Sequence, residues 1–461
     1  MAETISRRMA RYARELRFED IPDKVVYAVK RFLLDSIACA FGGYKTADVS
    51  ALLSIYRKMG GHEEASVIGG GDRLPAVNAT LLNSLMVRAL DYNDICWKED
   101  PSHPSDLIPA VLALAECEGL TAKDAIVGVV LAYDFEMRLC EFARPGLRER
   151  MWHHATLTQF AAPLAAGRML GLSEDQLVNA IGISGAHNYT PGAATAGKLS
   201  MMKNTVDPMA VQSGVMAALL AREGYTGTEA IFEGKEGLMD VMGPEWNESI
   251  LFEGLGEEFR ILQCSMKAFP TEALTHSHIT AALKVVKEHD IRVDDIKEVR
   301  VTTIARAVDI LFDPEKYKPD SRETADHSLP YCIAAALVDR QITTDQFSED
   351  RIDAPEIQRV LQKIQGEASE EFEEMFPEKQ PSRVTITLQD GTTHSAEVEY
   401  PKGDPREPMT DEEIKTKFRA LADNLIIPDR QEEIIDRIMA FEHEENMHAF
   451  MQDLAVSRGA Q

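Results

Sequence analysis

Arg88, Asp91, Asn93, Asp94, His103, Ser105 and Asp106 fall within one short stretch, Arg88–Asp106. Carboxylates and an imidazole in one place are the raw material of general acid–base catalysis. The residues before the stretch carry an apolar stripe at helical spacing, Leu81, Leu82, Leu85, Met86, Ala89 and Leu90. One more turn of that helix sets Asp91 and Asp94 three apart on one face, with Arg88 a turn earlier. Two carboxylates so close cannot both ionise freely, so one pKa should rise. The chain then breaks at Pro101 and brings back a His at 103. The plain alternative is a helix end with solvated acids and a His in a turn.

Further along, Trp152-His-His-Ala-Thr156 places two imidazoles side by side just before an Ala-rich helix. Neighbours on a helix point about 100° apart, so the pair is expected to divide into one catalytic and one structural His. The i, i+4 spacing of a zinc-binding His pair is absent. Lys203 stands at the start of an Ala/Leu-rich helix, where it opposes the helix dipole, and such a charge suits an anion. Lys267-Ala-Phe-Pro270 and His276 lie at a change of sequence character and could line a cleft. Tyr331, in Asp326-His-Ser-Leu-Pro-Tyr331, is a candidate proton donor or else a core residue with a satisfied hydroxyl.

These side chains need a scaffold, and 461 residues with 44% apolar content supply two or three domains. No run reaches the ~18 apolar residues of a membrane span. The N-terminus lacks an apolar signal core and interleaves acids with its arginines, so the expected location is cytoplasmic. The six cysteines (39, 96, 117, 140, 264, 332) form no C-x-x-C pair and read mostly as small core residues. A net charge of −27 argues against nucleic acid and against an anionic membrane surface. It also repels an anionic small substrate at long range, so any carboxylate substrate needs a local group of Lys, Arg and His.

Residues 1–265 read as helices almost throughout, including Val25–Phe41 and Ala210–Arg222. Thr121 with Asp124, and Ser173 with Gln176, have the spacing of capping boxes. Gly69-Gly-Gly71 lacks the spacing of a phosphate loop and reads as a turn. From 266 to 403 the pattern is α+β: a strand at Ile296–Thr303, a hairpin around Asp390-Gly391, and helices at Leu274–His289, Leu329–Asp339 and Ile357–Ile364. Pro401–Pro405 reads as a linker. Residues 404–461 return as helices, over 410–458, with a capping box at Thr410 and Glu413. The fold class expected is mostly α with an α+β second domain, and a cleft between the two is a favoured ligand site.

Taken together, the segments resemble the MmgE/PrpD family, which includes 2-methylcitrate dehydratases, cis-aconitate decarboxylases and an iminodisuccinate epimerase. The resemblance rests on Ala65–Gly71, Leu90-Asp-Tyr-Asn-Asp94 with His103-Pro-Ser-Asp106, His154-x-Thr156, Gly167–Ser173, Lys203 ahead of Ala217–Ala221, Lys267-x-Phe-Pro270 with His276, and Ala325–Tyr331. It implies a helical domain built from both chain ends, an α+β lid, a homodimer, and a site between the domains without metal or cofactor. Carried over by position, the site residues are Asp91, His103, His154, Lys203 and Lys267. His154 is chosen over His153 because one residue separates it from Thr156. Tyr331 joins the catalytic candidates, and His276 and Arg88 the substrate-binding ones. Lys203 and Lys267 are expected to bind carboxylates, and His103, His154 and Asp91 to move protons. Beside an anionic substrate each His pKa should rise.

Asn93 and Asp106 lean towards the dehydratases. The decarboxylases tend to carry Asp-Phe-Asp-Asp-Thr and His-Pro-Ser-Gly, and Ile95 replaces a hydroxyl residue of either branch. The resulting expectation is a metal-independent hydro-lyase acting on 2-methylcitrate or a close tricarboxylate. The alternatives are a cis-aconitate decarboxylase or an epimerase of the same fold, and more remotely a non-catalytic carboxylate-binding protein.

Overall fold

The computed structural model describes residues 3–196 and 199–455. The last residues of the expected C-terminal helical segment, 456–458, lie outside the described residues. Most of the chain is helical, with small sheets. Among the described residues no helix is long and apolar enough to cross a membrane.

Two hydrophobic cores hold most of the buried apolar side chains. The first draws on residues 5–266 and again on 409–454. Its long helix Asp23–Gly43 packs against Ala76–Arg88 and against the C-terminal helix Asp411–Ala422. The return of the chain is marked by a buried ion pair: Lys417 Nζ lies 2.6 Å from Asp35 Oδ1 and also donates to the carbonyls of Tyr92 (2.6 Å) and Lys267 (3.0 Å). Breaking one partner of such a pair typically costs about 3–5 kcal/mol, since the other charge stays buried. The Thr121, Ser173 and Thr410 caps form as their sequence spacing predicts, each side chain accepting the backbone N–H three residues on.

The second core uses residues 274–396. Its four strands run in the order Ile364–Ala368, Ile296–Thr303, Ser382–Leu388, Thr393–Val398, the first pair parallel and the others antiparallel. Val384 and Ile386, two apart on one strand, put their buried side chains on the face covered by helix His276–Glu288. Ile364, expected to close the helix Ile357–Ile364, instead opens the edge strand Ile364–Ala368, and the helix before it spans Pro355–Leu361. Gln-Gly-Glu-Ala has little strand preference, so the pairing with Ile296–Thr303 decides its form.

Residues before 266 also contain short strands that the helical reading missed. Asp94–Trp97 pairs with Pro101–Ser102 on one side and Ser265–Met266 on the other. The linker is anchored to this ribbon: Met266 N–H donates to Gly403 O at 3.0 Å. Gly403 has φ +98°, and a Cβ there would lie 1.8 Å from Met266 O, so the contact requires glycine.

Candidate active site

The helix before the acid-rich stretch stops at Arg88 rather than running on. Asp91 takes a left-handed φ of +49°, which Asp tolerates better than most residues, and Asp94 already belongs to the strand. The two carboxylates therefore do not share a helix face, and the sequence expectation is corrected on that point. The left-handed turn aims Asp91 inward, among cations.

Arg88 Nη1 hydrogen-bonds Asp91 Oδ1, Lys267 Nζ lies 3.0 Å from the same oxygen, and Lys203 Nζ lies 3.2 Å from Oδ2. His327 Nε2 is 3.9 Å from Oδ2. Burial alone would raise the Asp91 carboxyl, but Lys203, Lys267 and Arg88 outweigh it and hold it well below the usual carboxylate range. Asp94 is the carboxyl that rises, to about 6, and the cause is burial rather than a neighbouring Asp91; Ser105 and Tyr133 oppose the shift by hydrogen bonding.

The two lysines differ in what they have left to offer. An ammonium has three donors. Lys267 commits all three, to Asp91 Oδ1 (3.0 Å), Asp91 O (3.1 Å) and Thr271 O (3.0 Å). Lys203, in the first turn of helix Met202–Arg222, has Asp91 as its one ion-pair partner among the described residues. The anion that its position at a helix start called for is thus provided within the chain. His276 Nε2 shares Thr271 O with Lys267, at 3.3 Å, and burial with Lys267 nearby pushes its pKa down to about 3. It supports the lysine rather than the cavity wall.

His103 Nδ1 sits 2.6 Å from the carbonyl of Asp94. A carbonyl only accepts, so Nδ1 carries the proton and Nε2 keeps its lone pair. Burial, then Arg88 and Lys267, depress the His103 pKa well below its ordinary value. The His103 and His154 rings are 5.8 Å apart.

His153 and His154 stand before the helix, which starts at Ala155. The segment is held by His153 N–H donating to Thr190 O at 2.8 Å and by a bridge from Trp152 to Pro191. Freed of helix geometry, both rings face one carboxylate, Asp207, with ring centroids 4.0 Å apart. The expectation that adjacent residues must diverge is corrected accordingly. The potential ligand atoms of His153, His154 and Asp207 lie within 4.8 Å of one another, which are the residue types of a divalent-metal site. However, His153 Nδ1 accepts Ala155 N–H at 3.1 Å, which leaves its proton on Nε2 and no lone pair for a metal.

Tyr331 does not reach this cluster. Its ring is buried in the second core near Phe347, and its hydroxyl donates to Gln346 O. The residue of that segment that does arrive is His327, which sequence reasoning passed over although it lay in the same motif. Asp207 and Glu272 were also missed. Glu272, raised by burial, faces His327 and Lys267. An Asp-Pro inside an Ala-rich helix, Asp207-Pro208, was the available signal for the first.

A cavity of about 990 Å³ opens onto the cluster and is lined by Arg148, His153, His154, Lys316 and His327, among others. Asp91, Lys203 and His103 are buried and are not among the residues lining it. Ile95 lines a second, smaller cavity of about 290 Å³ with Trp97.

Residues 7–249 match the MmgE/PrpD N-terminal domain and residues 269–442 the MmgE/PrpD C-terminal domain. The chain belongs to the MmgE/PrpD family. Its similar proteins within that family include the cis-aconitate decarboxylase of Aspergillus terreus, 27% identical over 95% of this chain and 93% of that protein. The mouse (Mus musculus) cis-aconitate decarboxylase is 26% identical over 94% and 90%. The 2-methylcitrate dehydratase of Salmonella typhi is 24% identical over 84% of each chain. The Asp91 cluster, with Lys203 from the N-terminal domain, Lys267 from the segment between the two matches and His327 from the C-terminal domain, is the candidate active site.

Proposed function

We propose that this chain is a lyase acting on a tricarboxylate by proton transfer at a carbon next to a carboxylate. The observation that carries the reading is a buried, neutral His103 with a free Nε2, its ring 5.8 Å from that of His154, beside a cation cluster in which Lys203, paired with Asp91, still has donors to offer. His103 takes the proton as general base. Lys203 and Arg88 favour the negative charge that develops on the substrate carboxylate. Asp91, locked ionised among cations, is a weak base, so its part is to hold Lys203, Lys267 and Arg88 in place. Lys267 stabilises that arrangement rather than gripping substrate.

Two reactions fit. Removing the α-proton and expelling hydroxide as water is dehydration, the reading that Asn93 and Asp106 favour. Both residues are buried, with Asn93 Nδ2 donating to Asp106 Oδ1 at 3.1 Å, so they shape the wall behind the reacting groups. The greater identity and coverage of the decarboxylases supports the second, loss of carbon dioxide from cis-aconitate. Proton NMR in heavy water with 2-methylcitrate, citrate and cis-aconitate separates them. A new vinylic or methyl signal from 2-methylcitrate alone supports dehydration, and itaconate from cis-aconitate supports decarboxylation. Silence on all three from folded protein removes the tricarboxylate reading.

The reading also includes a homodimer located in the cytoplasm. Met202, Met209 and Met216 recur every seven residues on the exposed side of helix Met202–Arg222, an apolar stripe of the kind that marks an interface.

A further inference from the structure

We propose that Asp207 is a positioning residue that keeps His154 protonated and oriented as the acid of the site, opposite the base His103. This rests on the lyase reading above. Asp207 lies one turn after Lys203 on helix Met202–Arg222, so one face of that helix presents the ammonium to Asp91 and the carboxylate to His154. Its Oδ1 is 3.2 Å from His154 Nε2.

Apart from this 3.2 Å contact with each other, neither Asp207 oxygen nor His154 Nε2 has a hydrogen-bond partner among the described residues, and all are buried. A buried carboxylate left alone is strongly disfavoured, so it needs a cation. The charged and titratable groups around the pair narrow the choice. Arg88, from the neighbouring helix, is engaged by Asp91 and faces Asp106 at 3.8 Å. His153 is held neutral by burial and by its bond from Ala155. Asp106 and Glu136 are driven towards their neutral forms by burial, Glu136 to about 8, and Asp100 caps the N–H groups of Leu147 and Arg148. His103 is neutral. Arg148 lines the same cavity but makes no ion pair with Asp207 among the described residues, and His154, with Nε2 3.2 Å from Oδ1, is the group placed to carry the balancing proton.

With Nε2–H directed at Asp207, His154 has Nδ1–H for the cavity that it lines. In dehydration, His103 takes the α-proton, the C–H electrons form the double bond, and the hydroxyl leaves with the Nδ1 proton as water. In decarboxylation, the C–C electrons released with carbon dioxide pass to the allylic carbon, which takes the same proton. Either way His154 ends neutral with Nε2–H still on Asp207.

The test compares the full chain with D207N, D207E and H154Q. Nitrogen-15 NMR of the histidine rings at pH 7.5 reads the pair without substrate. The wild type is expected to show an imidazole with both nitrogens protonated that is lost in H154Q and in D207N and kept in D207E. In turnover, D207N is expected to lower kcat about tenfold to a hundredfold with KM within roughly threefold, to move the alkaline limb of the kcat profile down by about one pH unit or more, and to be largely rescued in D207E. An imidazolium signal unchanged in D207N, or a lower melting temperature with the alkaline limb unmoved, overturns the proposal. So does a stoichiometric cobalt(II) spectrum that D207N abolishes, since the carboxylate would then serve a metal. If D207N does not fold, D207S takes its place with the same expected losses, and D207E with the same expected rescue. A wild type silent on every tricarboxylate yet showing the Asp207-dependent imidazolium sinks the lyase reading and leaves the pair standing.

Discussion

Asp91→Asn replaces the one carboxylate that Arg88, Lys203 and Lys267 share. All three cations are buried, so none can turn to water for compensation. Removing one partner of a buried pair costs about 3–5 kcal/mol. Lys267 keeps two of its three bonds, to the Asp91 and Thr271 carbonyls, and the amide oxygen of Asn still accepts one donor. The loss should therefore sit near the lower end, about 3 kcal/mol. Urea unfolding at pH 7.5 followed by tryptophan fluorescence measures it, because Trp152 and Trp246 pack on the core that carries the cluster. The pH dependence gives a second check. The Asp91 carboxyl is held below its ordinary value, so its stabilisation is complete above the unfolded pKa, about 3.9, and is lost as pH falls through the folded one. The gap between wild type and D91N should stay level from about pH 8 to 5 and close only below about pH 4. A loss under about 1 kcal/mol, or a gap that closes between pH 7 and 5, would refute the account of Asp91 as the anion that holds the cations.

Other substitutions separate the remaining roles. Lys203→Met should raise KM for the tricarboxylate about tenfold or more while kcat falls less; an unchanged KM with a collapsed kcat would make Lys203 a proton carrier instead. His103→Asn should cut kcat by roughly 10² to 10⁴ with folding intact. Because burial and Arg88 keep His103 in its neutral form, wild-type kcat/KM should hold up below pH 6.5, and an acid limb at or above that value would contradict it. Tyr331→Phe should leave kcat within about twofold and lower stability by about 1 kcal/mol, the net worth of one hydrogen bond in the second core; a large loss of kcat would return Tyr331 to the site.

The local chemistry of the chain was written in short-range patterns. Capping boxes at Thr121, Ser173 and Thr410 depend on residues three apart, and the Asp390-Gly391 hairpin on two, so spacing alone locates them. The change from helical to alternating periodicity near residue 266 was legible for the same reason, as were the polar residues that chemistry would need. What a turn does to direction was not legible. One left-handed residue, Asp91, redirects a carboxylate from a helix face into a ring of cations. The end of a helix at Ala155 lets two adjacent histidines converge.

Long-range pairing decided the rest. A strand at Ile364–Ala368 exists because Ile296–Thr303 lies beside it. His327 rather than Tyr331 reaches the cluster because the helix that begins at Leu329 turns the tyrosine into the second core. Net charge, composition and residue type were fixed in one dimension, and they narrowed the chemistry to a local set of cations and imidazoles in an acidic chain. Which imidazole is neutral, which lysine has donors to offer and which carboxylate stays ionised follow from burial and from contacts between residues up to hundreds of positions apart, and those exist only once the chain has folded.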